Sequence, residues 1–108
     1  MKSGQINRGL PRRVMYVENK EGLIDGAPAR IGWVDFSRTG RSVYYRGRVL
    51  LATGGRGILG NFMDEETHEE YWVSGVKQRG SNAHHAGRGV RPVVDEDARA
   101  EYQRIRRR

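Results

Sequence analysis

Between Val14 and Val94 short apolar segments, several of them alternating with polar positions at a period of two, are separated by polar, glycine-rich stretches, and a helical period shows in the last dozen residues. Val14 to Glu18 reads as a short strand of β-branched and aromatic residues, and Ala29 to Ser37 as a second. Between them, Asn19 to Pro28 carries Gly22 and the pair Asp25-Gly26, which mark a loop. Arg38-Thr39-Gly40-Arg41 reads as a tight turn into Ser42 to Ala52, the longest strand signal of the chain. Read as one strand, it sets Val43, Tyr45, Gly47, Val49 and Leu51 on the inner face. Tyr44, Arg46, Arg48, Leu50 and Ala52 then fall on the outer one.

Thr53 to Asn61 is glycine-rich, residues 62–69 are acidic and read as a loop or one helical turn, and Tyr71 to Val76 forms another strand. Lys77 to Gly89 is polar and reads as a long loop, after which Val90 to Val94 suits a short edge strand that tolerates Pro92. The C-terminal helix, residues 95–106, has Asp95 as its expected N-cap, acids in the first turn and arginines in the last. Ala98, Tyr102 and Ile105 recur at helical spacing and give it one narrow apolar face. The expected fold is therefore α+β and mainly β. About five short, mostly antiparallel strands form a twisted sheet or small barrel of SH3-like size, with one C-terminal helix. Residues 1–12 lack periodicity and read as a flexible basic arm, leaving 13–108 as the single domain.

At 108 residues, one modest core is the expected limit. The absence of cysteine favours the cytoplasm, and neither a signal peptide nor an apolar membrane span is visible. The net charge of +7 sits mostly at the ends: 1–13 hold four basic residues and no acid, 104–108 hold four more, and 14–103 come to −1. Within that middle region, six arginines in 30–56 face a block of five acids in 64–70, and mutual pairing of the two blocks is the expectation.

The candidate chemistry is sparse. Gly55, Gly57 and Gly60 match a dinucleotide-binding spacing, but no crossover helix follows and no acid stands about 20 residues on. His68, His84 and His85 lack metal-binding spacing, so neither a metal nor a cofactor is expected. Ser37, Ser42, Thr53, Ser74 and Ser81 sit in no nucleophile motif, and Asp35 is expected to pair with a flanking arginine. Arginine outnumbers lysine 17 to 3 and interleaves with aromatics, a combination able to hold phosphate and stack on bases. Trp33, Tyr44, Arg46, Arg48, Arg56 and Trp72 are the candidate binding residues. A non-enzymatic module for a protein or peptide partner is the first reading. Nucleic acid, bound by the arginine-aromatic sheet face and the basic tails, is the second. A small hydrolase or nuclease built from Asp35, the acidic block and the histidines is the third.

Gly57-Ile-Leu-Gly-Asn61, Glu66-Thr-His-Glu-Glu-Tyr-Trp-Val-Ser-Gly-Val-Lys77 and Val94-Asp-Glu-Asp-Ala-Arg-Ala-Glu-Tyr102 resemble a family of small bacterial proteins of unknown function. Ile31 to Gly40 and Tyr44 to Gly47 resemble it too, so the likeness covers about residues 14–104 and implies no activity. Such proteins sometimes carry the label 1-deoxy-D-xylulose-5-phosphate synthase. The chain lacks the Gly-Asp-Gly motif of a thiamine-diphosphate enzyme and is too short for its domains, which argues against the label.

Overall fold

The structure, a computed structural model, describes residues 8–54, 60–80 and 90–107. Among these residues there are seven strands: β1 Arg8–Asn19, β2 Ala29–Ser37, β3 Ser42–Tyr45, β4 Arg48–Ala52, β5 Phe62–Asp64, β6 Glu70–Gly75 and β7 Val93–Val94. A 3₁₀ turn, Glu96–Ala98, leads into the helix α1, Arg99–Arg106. The order β6-β5-β4-β3-β2 is closed by β1, which pairs antiparallel with both β2 and β6, giving a six-stranded antiparallel barrel. Closure removes the free edges that an open sheet of this size exposes. β7 is the exception to the antiparallel pattern. It adds parallel to β2 through Arg30↔Val93 and Ile31↔Val94, beside the stretch of β2 that precedes its pairing with β3.

Four expectations change, and the first is that Phe62–Asp64, read as part of a loop or helical turn, is strand β5, paired with both β4 and β6. β1 begins at Arg8 and pairs Arg8 with Ser37 and Leu10 with Phe36, so the strand enters the stretch read as an arm. Residues 1–7 lie outside the described part of the chain. Ser42 to Ala52 is not one strand but a hairpin, because Arg46 and Gly47 take positive φ of 48° and 80° and turn the chain between Tyr45 and Arg48. The turn reverses the inside–outside alternation. Leu50, read as outward, is fully buried, and Val49 and Leu51, read as inward, are half-exposed. Asp95 caps nothing with its side chain, and the segment it opens begins as a 3₁₀ turn rather than an α-helix.

Two apolar clusters follow from the two faces of the sheet. Met15, Val17, Val34, Val43, Tyr45, Leu50, Tyr71 and Val73 fill the barrel, and Ile24 enters from the loop between β1 and β2. That loop turns at Asp25-Gly26, so Ile24, fully buried, plugs one barrel end. On the outer face, Val14, Tyr16, Ala29, Ile31 and Ala98 are joined by Trp33, Trp72, Val94, Tyr102 and Ile105. The predicted apolar stripe, Ala98 in the 3₁₀ turn with Tyr102 and Ile105 in α1, thus joins this outer cluster. Gly60 is required where it stands: its φ is +91°, and an added Cβ would lie 2.6 Å from the Tyr71 carbonyl oxygen.

Candidate functional site

The six residues singled out from the sequence do not form one site. Arg46 and Arg48 belong to a network at the plugged end of the barrel. Arg46 Nε lies 2.5 Å from Asp25 Oδ2, and the Arg48 guanidinium lies 2.9 Å from Asp25 Oδ1. Arg46 also reaches Asp95, 3.4 Å away, which accepts a hydrogen bond from Arg30 at 3.1 Å and from the Tyr45 hydroxyl at 2.5 Å. Arg30 further donates to the carbonyls of Ile24 and Asp25. These arginines tie the plug loop down. Among the described residues the salt-bridge partners of these arginines are Asp25 and Asp95, not the acids of 64–70 that charge blocks suggested.

The acids of 64–70 serve their own turn and the neighbouring loop. Asp64 is buried and accepts from the backbone amides of Glu66 and Thr67, and Glu69 accepts from Asn19. Two tyrosines extend from the core into the polar end. Burial and the Asp95 carboxylate push the Tyr45 hydroxyl well above its ordinary pKa, and burial pushes Tyr71 up as well. Both stay neutral hydrogen-bonding groups at physiological pH.

Tyr44 stands apart from this network, on the outer face of β3. It pairs across strands with Val49, and Leu51 pairs with Met63. These four half-exposed side chains belong to neither apolar cluster. Trp33 and Trp72 pack against the outer apolar cluster, while Arg56 lies outside the described residues. Asp35 sits opposite Tyr44, far along β2 from the 64–70 turn. His68 is exposed at that turn with φ 64°, and His84 and His85 fall outside the described residues. Gly60 enters a strand rather than a helix; Gly55 and Gly57 are likewise outside.

What the sequence concealed is the sorting of charge between the two barrel ends. Contacts between loops define the plugged end: Arg46 and Arg48 join the turn 46–47 to the loop 19–28, and the Glu70 amide donates to Glu21 of that loop. Segments 18–30, 46–48, 64–70 and 95–97 gather there, with eleven acids against four basic residues. At the opposite end lie the start of β1, the β2–β3 turn, the exit of β6 and the C-terminus of α1. Arg8 pairs with Ser37, the Ala52 amide donates to the Arg41 carbonyl, and Arg106 donates to the carbonyls of Lys77 and Gly80. Segments 8–13, 37–42, 75–80 and 104–107 carry ten arginines or lysines and no acid. Arg12, Arg13, Arg38, Arg41, Lys77, Arg79 and Arg107 are exposed among them.

A cleft of about 350 Å³ opens into this basic end, lined by Arg12, Arg13, Val14, Trp33, Val76, Glu101 and Ile105. Trp33 forms its aromatic wall. The indole Nε1–H donates to the Asp97 carbonyl at 3.0 Å, which fixes the ring, and the Arg12 guanidinium stacks 4.6 Å from the ring centroid. Glu101 on the rim accepts from Arg104 at 2.8 and 2.6 Å, so its charge is offset within the helix. Among the described residues, no three histidine or acidic side chains are grouped to hold a metal ion, and no helix is long and apolar enough to cross a membrane. No protein-family model matches the chain, and neither a curated protein nor a solved structure shows significant similarity to it.

Proposed function

We propose that this chain is a non-enzymatic binding module that engages nucleic acid through the basic end of its barrel. The observation that carries the reading is the sorting of charge. Residues 14–103 come to −1 in the sequence, yet the topology places Arg38, Arg41, Lys77 and Arg79 beside Arg12, Arg13 and the C-terminal arginines. A surface of exposed arginines, where Glu101 at the cleft is already paired with Arg104, neutralises phosphates and releases their counterions, which is the main source of affinity for a polyanion. Arginine suits this role, since its planar fork binds phosphate oxygens in pairs.

Fluorescence anisotropy of labelled single-stranded and duplex oligonucleotides at physiological salt tests the reading. Arg38→Glu with Arg41→Glu should weaken binding about tenfold or more, because two phosphate contacts are lost and repulsion replaces them. Undetectable binding by the parent chain, or equal binding by the double variant, rejects it. A protein or peptide partner is the second reading, favoured by the half-exposed row Tyr44, Val49, Leu51 and Met63. Its signature is a captured partner whose binding is lost with Leu51→Asp and kept with Arg38→Glu and Arg41→Glu.

A further inference from the structure

We infer that the cleft between β1, β2 and α1 receives an unpaired nucleobase stacked on Trp33, so that the preferred ligand is single-stranded nucleic acid. The inference rests on the binding role proposed for the basic end and names the ligand class that its cleft selects.

Four features carry it. The cleft, about 350 Å³, falls at the lower end of the range for small-molecule sites, a size that admits a base rather than a duplex. Its wall is an aromatic ring held in one orientation by the hydrogen bond to the Asp97 carbonyl. One face of that ring is covered by a guanidinium, while the ring also packs against the outer apolar cluster. A flat cation at 4.6 Å occupies the position a base takes when it stacks. Arg12 is exposed and its described contact is with Trp33, so it can swing aside onto a phosphate when a base enters. Val14, Val76 and Ile105 supply the apolar remainder of the walls, while Arg13 stands at the rim for the adjoining phosphate.

Duplex bases are already stacked and cannot enter such a cleft without unpairing, whereas single strands offer every base to an aromatic platform. The chemistry is sequence-tolerant, because each base presents a π-face.

The test uses the full chain and three probes of equal length: a single-stranded oligonucleotide, its duplex, and an abasic single strand with the same phosphates and no bases. In a Trp72→Phe background the remaining tryptophan is Trp33. Its emission should be quenched by the base-bearing strand and left unchanged by the abasic strand at saturation. Affinity for the base-bearing strand should exceed that for the abasic strand on the order of tenfold. Trp33→Leu should abolish that preference, and Trp33→Phe should retain much of it. Equal affinity and equal quenching with the abasic strand overturn the inference while leaving the phosphate-binding role intact. Failure of all three probes to bind removes the underlying role instead. Should Trp33→Leu not fold, the quenching comparison in the Trp72→Phe protein decides the matter alone.

Discussion

Asp95 sits where four elements meet. Its amide donates to the Ile31 carbonyl of β2, and its carboxylate receives Tyr45 from β3, Arg30 from β2 and Arg46 from the β3–β4 turn. Gly32 leaves room for it: an added Cβ there would meet the carboxylate itself and approach the Tyr45 ring to 2.8 Å. Because the carboxylate is nearly enclosed, removing one donor leaves a buried charge less well satisfied. Tyr45→Phe should cost about 1–2 kcal/mol in urea unfolding, the usual penalty for such a loss; an unchanged midpoint would show that Arg30 and Arg46 suffice. Asp25 differs because it is 42% exposed. Hydrogen bonds from Arg48 and then Arg46 hold its carboxyl well below the usual carboxylate range. A depressed folded pKa adds stability above about pH 4 that is lost as the pH falls further. Solvent screening keeps the amount under about 1 kcal/mol. Asp25→Asn should therefore lower stability slightly at neutral pH, and the gap from the parent should close on acidification below about pH 4. A gap that widens in acid would mean another group controls it. At this scale the sequence identified the reactive residue types but not their partners, since Asp25 and Asp95 stand 70 positions apart and only closure of the barrel brings both to Arg46.

The alternation of Ser42 to Ala52 shows what an element can hide. Strand residues run unbroken on both sides of Arg46-Gly47, and arginine is a poor match to the positive φ that the first turn position requires. The turn is legible mainly in Gly47, with the flanking Tyr45 and Arg48 pairing across it. Missing it reversed the assignment of Val49, Leu50 and Leu51, as a one-residue slip does in a strand. It also left Val49 and Leu51 in the core and so concealed the outer row that they form with Tyr44 and Met63. The helix was legible for the opposite reason: its period of Ala98, Tyr102 and Ile105 has no interruption, and those residues do join the outer cluster. The two assignments of the hairpin differ measurably. Leu50→Ala should cost about 2–5 kcal/mol, as expected for a fully buried leucine, while Val49→Ala, half-exposed, should cost less than about 1 kcal/mol. Urea unfolding of both variants checks the alternation, and a larger loss at Val49 would restore the single strand.

For the whole molecule, net charge and charge arrangement make separate predictions. A chain of +7 is drawn to any polyanion, whichever residues carry the charge. A binding face depends instead on where the arginines stand. The two are separated by a variant that combines Arg38→Glu and Arg41→Glu at the basic end with Glu65→Lys and Glu66→Lys at the plugged end. All four side chains are exposed, so the fold should tolerate the exchange, and the net charge remains +7. If attraction follows net charge, this variant binds a single-stranded oligonucleotide as tightly as the parent. If the basic end is the face, it binds about as weakly as the variant carrying only the two glutamates. Salt gives a second reading of the same contrast. Each phosphate contact on a single strand contributes about 0.7 to the slope of log affinity against log salt, so loss of two contacts should flatten the slope by about 1.4. Repulsion by the new glutamates adds to the loss of affinity at low salt and is screened as salt rises. Flattened dependence together with weakened binding therefore places the contacts at residues 38 and 41. An unchanged slope with restored affinity assigns the attraction to the molecule's total charge, and the barrel end then has no special part in it.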